Sequence, residues 1–541
     1  MMMKPSAILA SSALLALSSA AAAQSPAAEP PAATPVVETE AGKVQGLEQG
    51  GIDAFLGVRY AAPPLGDLRF QPPAKPEAWE GVADATGYGA PCMQLYSASG
   101  PNESEMTRRI QAIFPTSTEA KMDNEDCLFL NVWTPAAGDG KKRPVMVWFH
   151  GGGYAYGSGN WPAYNGRNLA EKGDVVVVTV NHRLNAFGYL NLAEKFGEDF
   201  AASGNVGNLD LVRSLEWVRD NIAGFGGDPD NVTIMGESGG GSKVSHLMAM
   251  PAADGLFDKA VIQSGPGVFS GKPAEAADYA GKILEAAGVE TLDDLRTIRS
   301  DQIVEAVRKA TPADSAMGRG PQFGPIADGT IIPRDPFLPA APEQARDIPV
   351  LIGYNKDEMT LFLAAQPWFG RLTEGTLDAM TGAMGEQAVA AVAAYRKRYP
   401  DYSPTHLAAI AMGTRFVRGT YLLADQQAKT ASAPVYVYRL TWETPIGGGM
   451  LRTPHTLDIP LMFDNAKESA ALVGTGEDAQ TMADMMSDAW IAFAKTGTPS
   501  SALLPEWKPY TPSARNVMEL NVEPQLVDDP EKDIRELPSE L

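Results

Sequence analysis

The stretch MGESGGGSK at residues 235–243 is open to two chemistries. A phosphate-cradling loop needs Gly, four residues, Gly, then Lys and Ser or Thr in direct succession. Gly236 and Gly241 have that spacing, but Ser242 stands where the lysine must be and Lys243 comes one residue late. The register fails. Gly-x-Ser-x-Gly, by contrast, is met by Gly236, Glu237, Ser238, Gly239 and Gly240. That is the pattern of a nucleophilic serine presented on a sharp strand-to-helix turn. Glycines two residues either side of the serine remove side chains that so tight a turn would jam. The dipole of the following helix favours negative charge forming near Ser238.

A hydroxyl is a weak nucleophile without a base. The chain has five histidines: His150, His182, His246, His406 and His455. On a parallel sheet with such a turn the base follows the serine and an acid in chain order, which sets aside His150 and His182. His246 falls about 12 Å along the helix after Ser238, and His406, in SPTHLAAI, reads as a first-turn helix residue. His455, in RTPHTLDIP, remains by elimination. The acid is expected at the carboxyl end of an intervening strand, where PVLIGYNKDEM offers Asp357 and Glu358. The local pattern does not choose between them, and a solvated loop position is the ordinary fate of either. Tetrahedral charge also needs preorganised donors. WFHGGGYAYGSG supplies Gly151, Gly152 and Gly153 after an apolar run upstream of the serine, which fits backbone N–H donors of an oxyanion site better than a flexible turn.

These residues need a rigid frame. Apolar runs at 144–150, 174–180, 231–235, 260–264, 349–354 and 435–440 alternate with helix-length segments such as LDLVRSLEWVRDNIAGF. Val- and Ile-rich runs so spaced predict parallel strands buried on both faces, joined by crossover helices. NVTIM before Ser238 reads as a strand and GGSKVSHLMAM after it as a helix. Residues 270–320 and 360–430 read as helical insertions around the sheet.

Composition bounds the partners. Of 541 residues, 44% are hydrophobic and 20% charged, ordinary for a globular enzyme. A net charge of −22 argues against nucleic acid and disfavours strongly anionic substrates. Residues 1–23, with one lysine, an apolar stretch and small residues at Ala21 and Ala23, read as a cleavable secretory signal rather than a membrane anchor. Residues 24–35 read as a disordered Pro/Ala linker, and 36–541 as the catalytic unit. A secreted or periplasmic protein follows. In that setting Cys92 and Cys127 are expected to pair, closing the segment between them and stabilising by up to about 4 kcal/mol through chain entropy. No metal or cofactor is implied.

Five segments together resemble the type-B carboxylesterase family, which includes the cholinesterases and many bacterial esterases. They are FLGVRYAAPPLGDLRFQPP (55–73), EDCLFLNVWTP (125–135), HGGGY (150–154), FGGDPDNVTIMGESGGG (225–241) and GYNKDE (353–358). The resemblance covers residues 36 to about 530. It implies an α/β-hydrolase fold, a mostly parallel central sheet with crossover helices and helical insertions. It also implies a Ser-Glu-His triad at Ser238, Glu358 and His455, choosing Glu358 over Asp357. By the same likeness the oxyanion donors are Gly152, Gly153 and Gly239, the buried supporting serine is Ser264, the disulfide is Cys92–Cys127, and an ion pair joins Arg69 to Glu125. Gly239 replaces the family's usual alanine, and HTLDIP replaces its His-Gly-x-Glu-Ile-Pro, changing Thr456 and Asp458. The Cys92–Cys127 segment lacks the tryptophan with which cholinesterases bind choline, so a cholinesterase is not expected. Tyr96 and Phe114 in that segment are candidates for pocket wall or for plain packing.

The expectation is a hydrolase of uncharged carboxylic esters acting through an acyl-enzyme, with a small-molecule substrate. Amides, lactones or thioesters are the alternative substrates for the same chemistry. A non-catalytic adhesion module of the same fold is the alternative function, disfavoured because every catalytic part is present.

Overall fold

A computed structural model describes residues 34–95, 108, 114, 123–311 and 323–537. The signal expected at 1–23, most of the linker expected at 24–35, and Tyr96 lie outside the described residues. From the N-terminus the strands are β1 (Val37–Thr39), β2 (Gly42–Gln45), β3 (Leu47–Gln49), β4 (Ile52–Arg59), β5 (Val82–Asp84), β6 (Phe129–Thr134) and β7 (Arg143–Phe149). There follow β8 (Val176–Val180), β9 (Gly227–Glu237), β10 (Lys259–Gln263), β11 (Val350–Asn355), β12 (Val435–Leu440), β13 (Asn516–Leu520) and β14 (Gln525–Asp528). An 11-stranded sheet has the order β14-β13-β12-β11-β10-β9-β7-β8-β6-β4-β3, and β1, β2 and β5 form a smaller one. From β8 through β13 every neighbouring pair is parallel. The flanks β6, β4 and β3 on one side and β14 on the other are antiparallel.

The six apolar runs are β7 to β12, as their composition predicts. Their β-branched side chains are buried on both faces because both faces carry helices. Along β7, Val145, Val147 and Phe149 enter one core layer while Met146 and Trp148 enter the other, the period of two that a pleated strand imposes. The first layer is closed by Leu211, Leu215 and Trp217 of helix α1 (Val206–Asn221). The second is closed by Met482, Met486, Trp490 and Phe493 of a helix at Glu477–Thr496.

The regions read as helical insertions carry helices at Pro273–Ala287, Leu292–Thr297, Ser300–Ala310, Glu374–Met384, Glu386–Arg398, Pro404–Met412 and Thr414–Thr430. Cys92 and Cys127 form a disulfide, with Cα atoms 4.9 Å apart. Arg69 pairs with Glu125, its Nε donating to Oε2 at 2.8 Å. The same guanidinium donates to the carbonyls of Leu295 at 3.0 Å and Ile298 at 2.8 Å, fixing the insertion to the disulfide-bearing segment. Among the described residues, no helix is long and apolar enough to cross a membrane.

The topology determines where a site can form. β7 connects onward to β8 on one side, whereas its other neighbour β9 connects onward to β10, so the connections of β7 and β9 run in opposite directions and open a crevice at the carboxyl ends of these strands. Gly151–Gly153, Ser238, Ser264 and Glu358 each follow a strand end on that side, and His455 lies on the connection that leaves β12.

Candidate active site

Ser238 joins β9 to helix α2 (Gly239–Leu247), at φ 56° and ψ −122°. A non-glycine residue held there is strained, and such strain concentrates at functional turns. The turn is also packed hard against the end of β7. A Cβ on Gly239 would stand 2.7 Å from the Gly153 nitrogen, and one on Gly240 would collide with the Phe149 carbonyl oxygen. In this backbone a Cβ at either position would force a shift, and the two glycines let helix α2 and the end of β7 with its glycine loop come into direct backbone contact. Gly152 and Gly153 both have positive φ, 88° and 56°. The Ser238 N–H donates to the Gln263 carbonyl at 2.8 Å. Next along the chain, Ser264 is fully buried, at φ 48°, its N–H donating to the Gly353 carbonyl at 2.8 Å.

Asp357 and Glu358 follow β11 and take opposite directions. The segment bearing His455 pairs with them through its backbone: Asp357 N–H donates to the Thr453 carbonyl at 3.0 Å and His455 N–H to the Glu358 carbonyl at 3.2 Å. Glu358 then turns inward. Its Oε1 accepts from the Asn355 N–H at 2.8 Å, and its Oε2 accepts from His455 Nδ1 at 2.5 Å. Asp357 is fully buried, with Lys356 Nζ 3.7 Å from its Oδ2. Burial pushes its carboxyl up to about 6 against the opposing pull of Lys356.

Sequence reasoning left Glu237 as the unspecified residue of the serine motif. It is buried, and its Oε1 lies 3.0 Å from His455 Nε2. Burial, reinforced by the nearby Asp458 and Glu358 carboxylates, pushes it up to about 8 although His455 opposes the rise. Burial alone would lower the His455 imidazole, but Glu237 and Glu358 outweigh it and raise it to about 9. A charged residue at the apolar end of β9 was the signal that could have singled out Glu237. Asp458 is part of the support behind this group, accepting from Gln263 Nε2 at 2.7 Å and Tyr438 OH at 2.9 Å. Thr456, beside the histidine, has φ 69°, a conformation that favours glycine.

Ser238, His455, Glu237, Gly151 and Gly152 open on one cavity of about 230 Å³, whose other walls include Phe114, Tyr156, Trp161, Tyr164 and Phe362. Phe114 both lines it and packs on Trp161, ring centroids 5.5 Å apart. Phe362 lies 5.0 Å from the His455 ring. Composition alone could not assign these aromatic walls, which come from separate loops.

The other histidines lie elsewhere. His150 and His182 stack at 4.8 Å, and burial first, then Lys243, holds both well below the usual imidazole range. His246 bonds Ser242 O at 2.7 Å and Ser270 Oγ at 3.1 Å. His406, in the first turn of its helix, bonds Ser403 Oγ at 2.9 Å and Met450 O at 3.0 Å.

The sequence profile of the carboxylesterase family matches residues 33–535. The para-nitrobenzyl esterase of Bacillus subtilis (strain 168) is 36% identical over 506 residues, covering 93% of this chain and 98% of that one. The fumonisin B1 esterase of Sphingopyxis macrogoltabida is 33% identical, covering 87% and 84%. The crystal structure of a Geobacillus stearothermophilus carboxylesterase superposes with a TM-score of 0.78 at 37% identity, covering 92% and 99%. The Ser238 turn, the Gly151–Gly153 loop and the Glu358–His455 pair lie beyond strand ends of an α/β-hydrolase sheet, and with these likenesses the chain belongs to the type-B carboxylesterase family and is a carboxylic ester hydrolase.

Proposed function

We propose that this enzyme hydrolyses uncharged carboxylic esters through an acyl-enzyme on Ser238. Ser238 Oγ attacks the ester carbonyl carbon while its proton passes to His455 Nε2. The N–H groups of Gly152, Gly153 and Gly239 receive the oxyanion. Collapse of the tetrahedral intermediate breaks the C–O bond, and His455 returns the proton to the departing alcohol. Water then attacks the acyl carbon, giving a proton to His455; collapse of this second intermediate breaks the acyl–Oγ bond, releases the carboxylic acid and returns that proton to Ser238 Oγ. Glu358 holds the Nδ1–H and stabilises the imidazolium that forms in each half-reaction. Ser264 supports the turn from below. The observation that carries this reading is the 2.5 Å His455–Glu358 bond behind an imidazole that shares one cavity with Ser238.

Among the described residues the lining includes no lysine or arginine to pair with an anion and is mostly aromatic and aliphatic, which supports an uncharged substrate. The similarity to a relative named for para-nitrobenzyl esters supports aryl-sized esters. The disulfide supports an exported enzyme, since such bonds persist in oxidising compartments, with 1–23 as the signal, 24–35 as a linker and 36–541 as the catalytic unit.

The test is a fluorophosphonate probe together with Ser238→Ala. The probe should label Ser238, and the variant should fold while losing turnover of a para-nitrophenyl ester by about 10⁴-fold or more. Labelling elsewhere, or undiminished turnover, overturns the reading.

A further inference from the structure

Lys243, the residue that spoils the phosphate-loop register, has no part in the chemistry above, yet its side chain is fully buried. It lies on α2 one turn past Gly239 and faces the glycine loop. Its Nζ donates to the His150 carbonyl at 2.8 Å and stands 5.0 Å over the ring of Tyr154. The neighbouring Ser242 accepts from Tyr154 OH at 2.7 Å. Consecutive residues of the nucleophile's helix therefore grip the loop at both ends, at His150 and at Tyr154. Between those grips are the glycines that touch the turn at Gly239.

The planar peptide unit turns this grip into orientation. A carbonyl and the N–H of the next residue point in opposite directions within one rigid plane. Lys243 pins the His150 carbonyl, which fixes the plane carrying the Gly151 N–H. The His150 ring Nδ1 in turn donates to the Gly151 carbonyl at 2.9 Å, which fixes the plane carrying the Gly152 N–H. Burial holds the His150 imidazole far below its usual range, and Lys243 adds to that effect, so the ring stays neutral and keeps this single donor arrangement. Burial also pushes the lysine down to about 7. Charged or neutral, the amine keeps an N–H for the His150 carbonyl; its burial adds little to stability, but the bond orients that carbonyl.

We propose that Lys243 is a positioning residue for ester hydrolysis, clamping the His150–Tyr154 loop to the nucleophile's helix so that the Gly152 and Gly153 amides meet the oxyanion. The proposal rests on the assignment of those amides made above. Oxyanion donors act on the transition state more than on the bound ester, so the loss belongs in kcat.

The experiment compares the parent, Lys243→Met and Lys243→Gln with para-nitrophenyl acetate and with a trifluoromethyl ketone that forms a tetrahedral adduct with the active serine. Lys243→Met should unfold at a temperature near the parent's. Its kcat should fall by about 10- to 100-fold, less than deleting a donor outright, with KM within about threefold. Its affinity for the ketone should fall by the same factor. Lys243→Gln, which keeps an N–H donor, should recover part of both losses. A purely structural role would lower the unfolding temperature and leave the kcat of folded enzyme unchanged. A folded Met variant with kcat and ketone affinity within twofold of the parent would overturn the clamp alone. So would failure of both variants to fold, which would make Lys243 a folding determinant. If the parent's Ser238 also fails the probe test, the site assignment falls and the clamp with it.

Discussion

Asp357 and Glu358 are adjacent carboxylates whose removal should have opposite consequences. Glu358 uses both oxygens, accepting from Asn355 N–H at 2.8 Å and from His455 Nδ1 at 2.5 Å. A glutamine at 358 has one oxygen for these two donors. If its NH₂ faces His455, Nδ1 must become an acceptor and Nε2 then carries the proton, so the base is disabled. If its NH₂ faces Asn355, two donors meet in a buried site. Either way kcat should fall by about 10⁴-fold, the loss known for wrong-tautomer substitution in the serine protease triad, or about 5.5 kcal/mol of barrier. Asp357→Asn should keep at least about a third of the activity, because Asp357 faces Lys356 rather than the imidazole.

Its effect should be on stability. The folded carboxyl sits at about 6 against an ordinary 3.8, so between those values the folded state keeps a proton that the unfolded state has released. Stability then falls as pH rises through that interval, by about 3 kcal/mol once pH exceeds both values. Asparagine has no such proton, so Asp357→Asn should gain on the parent from pH 4 to pH 7 by up to that amount. The assays are initial rates with a para-nitrophenyl ester and urea unfolding at several pH values. Equal catalytic losses in the two variants, or a larger loss in Asp357→Asn, would refute the assignment of the acid. A stability difference that does not change with pH would refute the buried-carboxyl reasoning.

Two further outcomes follow. His455 must be neutral to accept a proton, and the carboxylates beside it raise it to about 9, so kcat/KM should climb with pH on a limb above the ordinary imidazole range. Glu237→Gln should move that limb to lower pH by roughly one unit, and an unmoved limb in a pH–rate profile would sever Glu237 from the base. Gly239→Ala would put a methyl 2.7 Å from the Gly153 nitrogen. Shifting that amide by tenths of an ångström should cut kcat about tenfold, and unchanged kinetics would show that the two backbones have slack.

The strand–turn–helix around Ser238 was legible because local sterics dictate it. A serine at positive φ with glycines around it fits few other structures, and the valine-rich strands announce their burial on both faces. The outer strands carry no such mark in the apolar pattern: β13 is NVMEL and β14 is QLVD, short and near or at the sheet edge. β4 reads IDAFLGVR with partly exposed positions. The choice between Asp357 and Glu358 was illegible for a different reason. Which of two neighbours turns inward is decided by backbone pairing with Thr453 and His455, about a hundred residues away, and no local pattern encodes that partner. Family resemblance chose Glu358, and its 2.5 Å contact with His455 Nδ1 supports that choice.

The failed phosphate-loop register shows how a motif can mislead and inform at once. Position 243 is wrong for phosphate because its side chain points along the helix face that packs on β7, not out of the helix N-terminus. That same face carries Gly239 and Gly240, whose missing side chains let the backbones touch, and the next turn must fill the widening gap. A hydrophobic residue could fill it by volume alone. Only a side chain with a long stem and a donor at its tip can fill it and also bond the His150 carbonyl, which would otherwise be turned toward the helix without this donor. A misplaced lysine in a glycine-rich turn therefore carries a structural message: the loop it faces has a backbone that needs to be held still.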